Sequence, residues 1–139
     1  MKILGIDPGT STGVAVFEDG ELTRLLTMSP VDMARFIAEA APSRVVFEDS
    51  RLQSHVWAGA MSKAALAKIA RNVGEIDAWC KLICAICERE QIAAHGVSPK
   101  NKGAKLNHDK FVVLTNWKSG SNQHERDAAM IAYPYRRAA

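Results

Sequence analysis

The chain has no apolar run long enough to cross a membrane. Asp7 interrupts the opening stretch Ile3, Leu4, Gly5, Ile6 too early for a secretory leader. A soluble, cytoplasmic protein is expected. Internal repeats, low-complexity tracts and linkers are also missing, and 139 residues with 47% hydrophobic content suffice for one ordinary core but not two. One domain spanning residues 1–139 is expected. Cysteine is scarce: Cys80, Cys84 and Cys87 fall at i, i+4 and i+7 of one apolar helical run. No nearby histidine or fourth cysteine completes a tetrahedral zinc set, so packing in a core or an interface is expected of them. A large excess of either charge is lacking too. Eighteen Lys and Arg against 15 Asp and Glu leave a net +3, compatible with a polyanionic partner and no proof of one.

What is present reads as alternating strands and helices. Ile3 to Asp7 and Val14 to Phe17 form a predicted hairpin across a Pro/Gly/Ser/Thr loop, with a third strand near Leu22 to Met28 after the Asp19-Gly20 turn. Ser29 and Pro30 start a helix whose expected apolar face includes Val31, Ala34, Phe36, Ile37 and Ala40, and Pro42 ends it. Arg44 to Glu48 reads as a fourth strand. A long helix is expected from Ser62 to about Gln91, with a kink or boundary at Asn72, Val73 and Gly74. Ile92 to Val97 reads as a fifth strand, followed by a helix near Asp109 to Trp117 and a last one from about Asn122 to Ala132. The expected architecture is α/β, a mixed five-stranded sheet flanked by helices.

Carboxylates recur where strands end. Asp7 closes the first strand beside a loop compact enough for a phosphate to approach, and Glu48 closes the fourth, past the buried Val46. In the last helix His124 and Asp127 stand at i and i+3 on one face, followed by the apolar Ala128 to Ala132. Hard oxygen donors with one imidazole suit magnesium or manganese, which can work in pairs in phosphodiester hydrolysis. The alternative for any single acid is a helix cap or salt bridge. The joint placement of three favours a metal site.

Gly5-Ile6-Asp7-Pro8-Gly9-Thr10 with Thr12-Gly13 and Val14-Ala15-Val16, then Val45-Val46-Phe47-Glu48, the long helix, and His124-x-x-Asp127-Ala128-Ala129 resemble the RuvC family of Holliday junction resolvases, in that family's order. The resemblance spans almost the whole chain. It implies a ribonuclease H-like fold and a homodimer that binds four-way or otherwise branched DNA and nicks two strands symmetrically. It also implies two Mg2+ or Mn2+ ions per site and a bacterial or phage-infected cell as the setting. By matching position, Asp7, Glu48 and Asp127 are the metal-binding carboxylates. His124 stands where many members carry an acid and some a histidine, and it either ligates metal or orients water. Asp49, pointing to the other face of its strand, is the weaker candidate.

Lys100, Lys102, Lys105 and Lys110 cluster where the family is expected to contact scissile-strand phosphates; each has the alternative of a solvated loop residue. Lys102 or Lys105 is also placed to stabilise transition-state charge. His55 and Trp57 follow the catalytic strand and either stack on an unpaired junction base or lie under the long helix. Three rivals remain. An actin-like ATPase opens with a similar strand and loop but needs two lobes. A junction-binding protein would keep the fold without hydrolysis. A nuclease of RNA–DNA hybrids, flaps or general branched DNA would share the ligand set.

Overall fold

The computed structural model describes residues 1–52, 62–101 and 103–137. His55, Trp57 and Lys102 lie outside the described residues. The strands are β1 (Lys2–Asp7), β2 (Thr12–Glu18), β3 (Glu21–Met28), β4 (Arg44–Glu48) and β5 (Ala93–Val97), and the helices are α1 (Pro30–Ala40), α2 (Lys63–Glu90), α3 (His108–Thr115) and α4 (Gln123–Ala132). They form one sheet in the order β3-β2-β1-β4-β5. β1, β2 and β3 are antiparallel, whereas β4 and β5 run parallel to β1, so the sheet is mixed as expected. Among the described residues no helix is long and apolar enough to cross a membrane.

The period-2 alternation of β1 divides its side chains between two cores. Leu4 and Ile6 pack with Val16, Val45 and Phe47 against α1 and α2, through Met33, Ile37, Cys80, Ile83, Ile86 and Cys87. Ile3 faces the other way, with Ala15, Phe17 and Val46 against Phe111 and the Ala128, Ala129, Ile131 and Ala132 stripe of α4. Gly5 shares that second face, and a Cβ there would collide with the carbonyl of Ala128 and stand 2.8 Å from the Ala132 Cβ. The helix thus lies on backbone rather than on side chains. This close approach requires small residues on both partners.

Several helix boundaries follow from capping. Ser29 caps α1 by accepting from the Asp32 amide, Ser62 caps α2 through the Ala65 amide, and Gln91 ends α2 in the left-handed region at φ 57°. The expected interruption of α2 does not occur: the helix runs unbroken through Gly74, whose missing Cβ faces open space. An exposed glycine costs about 1 kcal/mol of helix propensity, which the packed second half of so long a helix offsets. Val31 is 72% exposed rather than on the apolar face of α1, because Met33 fills the core position. The helix expected near Asp109 to Trp117 is α3, which starts one residue earlier on its Asn107 cap and stops at Thr115 with Asn116 left-handed. Cys80 and Cys87 are buried in the protomer's own core, so of the three thiols Cys84 alone is partly accessible.

Candidate active site

The carboxyl ends of β1 and β4 lie side by side. Ile6 pairs with Phe47 in parallel register, and the next residue on each strand is an acid, Asp7 on one and Glu48 on the other. On the other side Asp7 pairs with Gly13 of β2. Between them runs the loop from Pro8 to Ser11, closed by a 2.7 Å hydrogen bond from the Thr12 hydroxyl to the Gly9 carbonyl. Thr10 donates to Glu75 at 3.1 Å, tying the loop to α2. On the far side of Glu48, Ser50 donates to Asp77 at 2.6 Å, a second tie to the same helix.

α4 brings the remaining groups. Asn122 caps it in a reciprocal capping box with Glu125, and both reach Thr27 of β3, at 2.7 Å from the Asn122 amide and 3.0 Å to the Glu125 carboxylate. Glu125 is thereby spent on holding the helix to the sheet. The backbone of His124 lies against Gly13, which puts its ring over Asp7 with Nδ1 3.4 Å from Oδ2. Asp127, one turn on, is almost buried. The Gln123 amide donates to its Oδ1 at 2.8 Å, and the Lys105 ammonium stands 3.6 Å from its Oδ2.

Asp7, Thr10, Ser11, Lys105, Gln123, His124 and Asp127 line one open groove of about 430 Å3. An adjoining cleft of about 170 Å3 shares Asp7 and Pro8 with it and adds Glu48, Ser50 and Pro99. Asp7 is the hinge between the two, so all four acid and imidazole candidates border one continuous depression. Beside Asp127 lies a mostly apolar cavity of about 240 Å3, lined by Lys105, Leu106, Met130, Ile131 and Tyr135.

Of the described lysines singled out in the sequence, Lys105 lines the groove, while Lys100 and Lys110 are exposed and border neither it nor the cleft. Asp49 is turned away as expected. It is buried, accepts from the Arg51 side chain at 2.8 and 2.9 Å, and sits where a Cβ on Gly96 would otherwise be. The Arg51 guanidinium holds its carboxyl below the ordinary carboxylate range. Two groups escaped sequence reasoning. Gln123, at i−4 from Asp127, carries a helix-pair signal that was there to be read. Arg126, which donates to Gln123, Ser121 and the Leu106 carbonyl, depends on a loop path no local pattern encodes.

Among the described residues no three imidazole, thiolate or carboxylate groups stand close enough together to hold an ion as placed. The donor chemistry nonetheless fits a hard divalent cation: carboxylate oxygens from three segments border the depression, and one of them already faces a positive charge at Lys105.

No protein-family model matches this chain, and no curated protein is similar to it in sequence. Solved structures are similar in shape. Thermus thermophilus RuvC in complex with a Holliday junction substrate superposes with a TM-score of 0.65 at 15% identity, over 96% of this chain and 90% of that one. A second structure of Thermus thermophilus RuvC gives 0.62 at 14% identity, over 96% and 92%. Agreement over nearly the whole of both chains identifies the fold of this chain as RuvC-like, a mixed five-stranded α/β sheet flanked by helices.

Proposed function

We propose that this protein is a metal-dependent, structure-selective DNA endonuclease that resolves four-way junctions by symmetric hydrolysis as a homodimer. One observation carries the reading: Asp7, Glu48 and Asp127 come from three separate segments to border one depression beside a cation, on the fold of a protein solved with a Holliday junction. A buried or half-buried acid without such a purpose is costly, and three at one sheet edge are costlier still.

In this reading Asp7, Glu48 and Asp127 hold two Mg2+ or Mn2+ ions. When bound, the ions lower the pKa of water and neutralise charge on the phosphodiester. The chain's own groups do the rest. Ser11 presents its hydroxyl, and the loop that Thr10 ties to Glu75 presents its backbone, to a phosphate in the groove. His124, half-exposed and hydrogen-bonded to Asp7, is placed to orient the attacking water or to take its proton, and to serve as an additional ligand. Lys105 faces the phosphate with a cation, and Lys100, Lys102 and Lys110, with His55 and Trp57, extend the DNA surface.

α2 supports the dimer. Its buried residues all fall in the second half, whereas Leu66, Ile69, Val73 and Ile76 of the first half are only half-buried on one protomer, at spacings that share a face. A second copy would cover that stripe. The reading further places the protein in the cytoplasm and treats residues 1–139 as one domain.

Cleavage of a labelled four-way junction beside linear duplex, flap and RNA–DNA hybrid, with and without Mg2+ or Mn2+, tests the proposal. Paired symmetric nicks in the junction alone, dependent on metal, are the expected result. Cutting of several branched forms would make it a broader nuclease, and tight binding without cutting a junction-binding protein.

A further inference from the structure

Both oxygens of Asp127 are engaged, by groups of different kinds. Oδ1 accepts from the Gln123 amide at 2.8 Å, and that amide cannot turn over. Its carbonyl oxygen accepts from Arg126 Nη2 at 3.2 Å, so its nitrogen must face the carboxylate. Arg126 is itself fixed, donating Nη1 to the Ser121 carbonyl and hydroxyl at 2.9 Å each and Nε to the Leu106 carbonyl at 3.0 Å. This side of Asp127 is locked by a hydrogen-bonded chain that ends on backbone.

Oδ2 is held otherwise. Lys105 Nζ stands 3.6 Å away, beyond the ~2.7–2.9 Å of a charge-assisted hydrogen bond, and its side chain is 62% exposed. Such a contact is weak and exchangeable. The carboxylate it faces is only 8% exposed, and an ionised acid so buried needs a positive partner. The backbone carrying Lys105 does not have to move in an exchange, because the neighbouring Leu106 carbonyl is pinned by Arg126.

We propose that Lys105 is an internal cation that occupies Asp127 Oδ2 until a divalent ion takes that oxygen, and that the exchange hands its ammonium to the scissile phosphate. The proposal rests on the reading above that Asp127 binds metal. Locking one oxygen while leaving the other to a mobile cation keeps the metal-free carboxylate neutralised and aimed. It also couples two events through one side chain. A phosphate that draws Lys105 away vacates Oδ2 and tightens metal binding, and metal that displaces Lys105 tightens phosphate binding by the same factor. Charge is conserved throughout, since the ammonium moves from one anion to another as the ion arrives.

The test is calorimetric titration of Mn2+ into DNA-free protein, comparing the wild type with Lys105→Met, Lys105→Arg and Asp127→Asn, each checked by thermal melting. Lys105→Met is expected to bind Mn2+ roughly two- to fivefold more tightly, the factor equivalent to an exposed ion pair, even as its junction cleavage slows. Lys105→Arg is expected to restore wild-type affinity. Unchanged or weaker binding in Lys105→Met, with affinity lost in Asp127→Asn, would overturn the exchange and leave Asp127 as a ligand. Equal affinity in the wild type and Asp127→Asn would overturn both the ligand and the exchange. Should Lys105→Met melt early, Lys105→Gln carries the same expectation.

Discussion

The carbonyl of His124 rests directly on Gly13, so closely that a single added methyl on that glycine would overlap it. Since Gly13 pairs with Asp7 across the β1–β2 ladder, the contact sets the height of the His124 ring above the Asp7 carboxylate. Gly13→Ala should lift the first turn of α4 off the sheet, costing about 1–3 kcal/mol as overpacking does. Urea unfolding is expected to show that loss, and junction cleavage to fall further than stability alone accounts for.

Asp7→Asn and Asp127→Asn remove a charge that the proposed function assigns to metal binding, with little change of volume. Each is expected to reduce metal-dependent cleavage by more than about a hundredfold while junction affinity in a gel-shift assay stays within a few-fold. Cutting that persists in either variant would take that residue out of the mechanism.

Gln123→Ala should leave the helix intact but free the Asp127 carboxylate to rotate. Loss of such a supporting hydrogen bond is worth about 10- to 100-fold in metal affinity or activity. Circular dichroism should be unchanged while the Mn2+ concentration needed for half-maximal cleavage rises.

The Asp49–Arg51 pair predicts an acid limb in the stability profile. Arg51 holds the Asp49 carboxyl below its ordinary value, and the acid's side chain is only 7% exposed. A folded-state pKa below the unfolded value of about 3.9 contributes stability that is complete above that pH. It is lost as the pH falls through the range beneath. Arg51→Met is expected to cost about 2 kcal/mol at neutral pH, where it strands a buried carboxylate, and to shrink the drop in stability between pH 5 and the acid end of a denaturation series, the expected pH span being about that of a carboxylate titration.

Burial pushes the Cys87 thiol up to about 11 and raises that of Cys80, whereas Cys84 is partly accessible beside the Arg51 guanidinium at 3.3 Å. Iodoacetamide near neutral pH should therefore alkylate Cys84 first, with Cys80 and Cys87 following only in denaturant. Mass spectrometry of the peptides would show the order.

The strands, their order along the chain and all four helices could be read because β-branched runs, glycine turns and helix caps act locally. Ser29 with Pro30 and Ser62 placed the starts of α1 and α2 through hydrogen bonds their own side chains make. Val31 and Gly74 misled for the opposite reason. Whether an apolar residue at a helix start meets a core, and whether a helical glycine bends the chain, depends on what packs opposite. The candidate carboxylates were legible because strand ends are marked by where an apolar run stops. The Arg126–Gln123–Asp127 chain was not, since its anchors at Leu106 and Ser121 belong to segments whose path is decided only by tertiary packing.

The docking of α4 onto Gly5 and Gly13 has a consequence for how the groove comes into being. Residues 7 and 127 lie at opposite ends of the chain, so their meeting waits on a contact of very long sequence separation, the slowest kind to form. A chain whose sheet has assembled but whose last helix is still free has no such groove at all. The chemistry proposed for it therefore depends on that long-range contact, and a chain in which α4 has not docked lacks the surface that carries it.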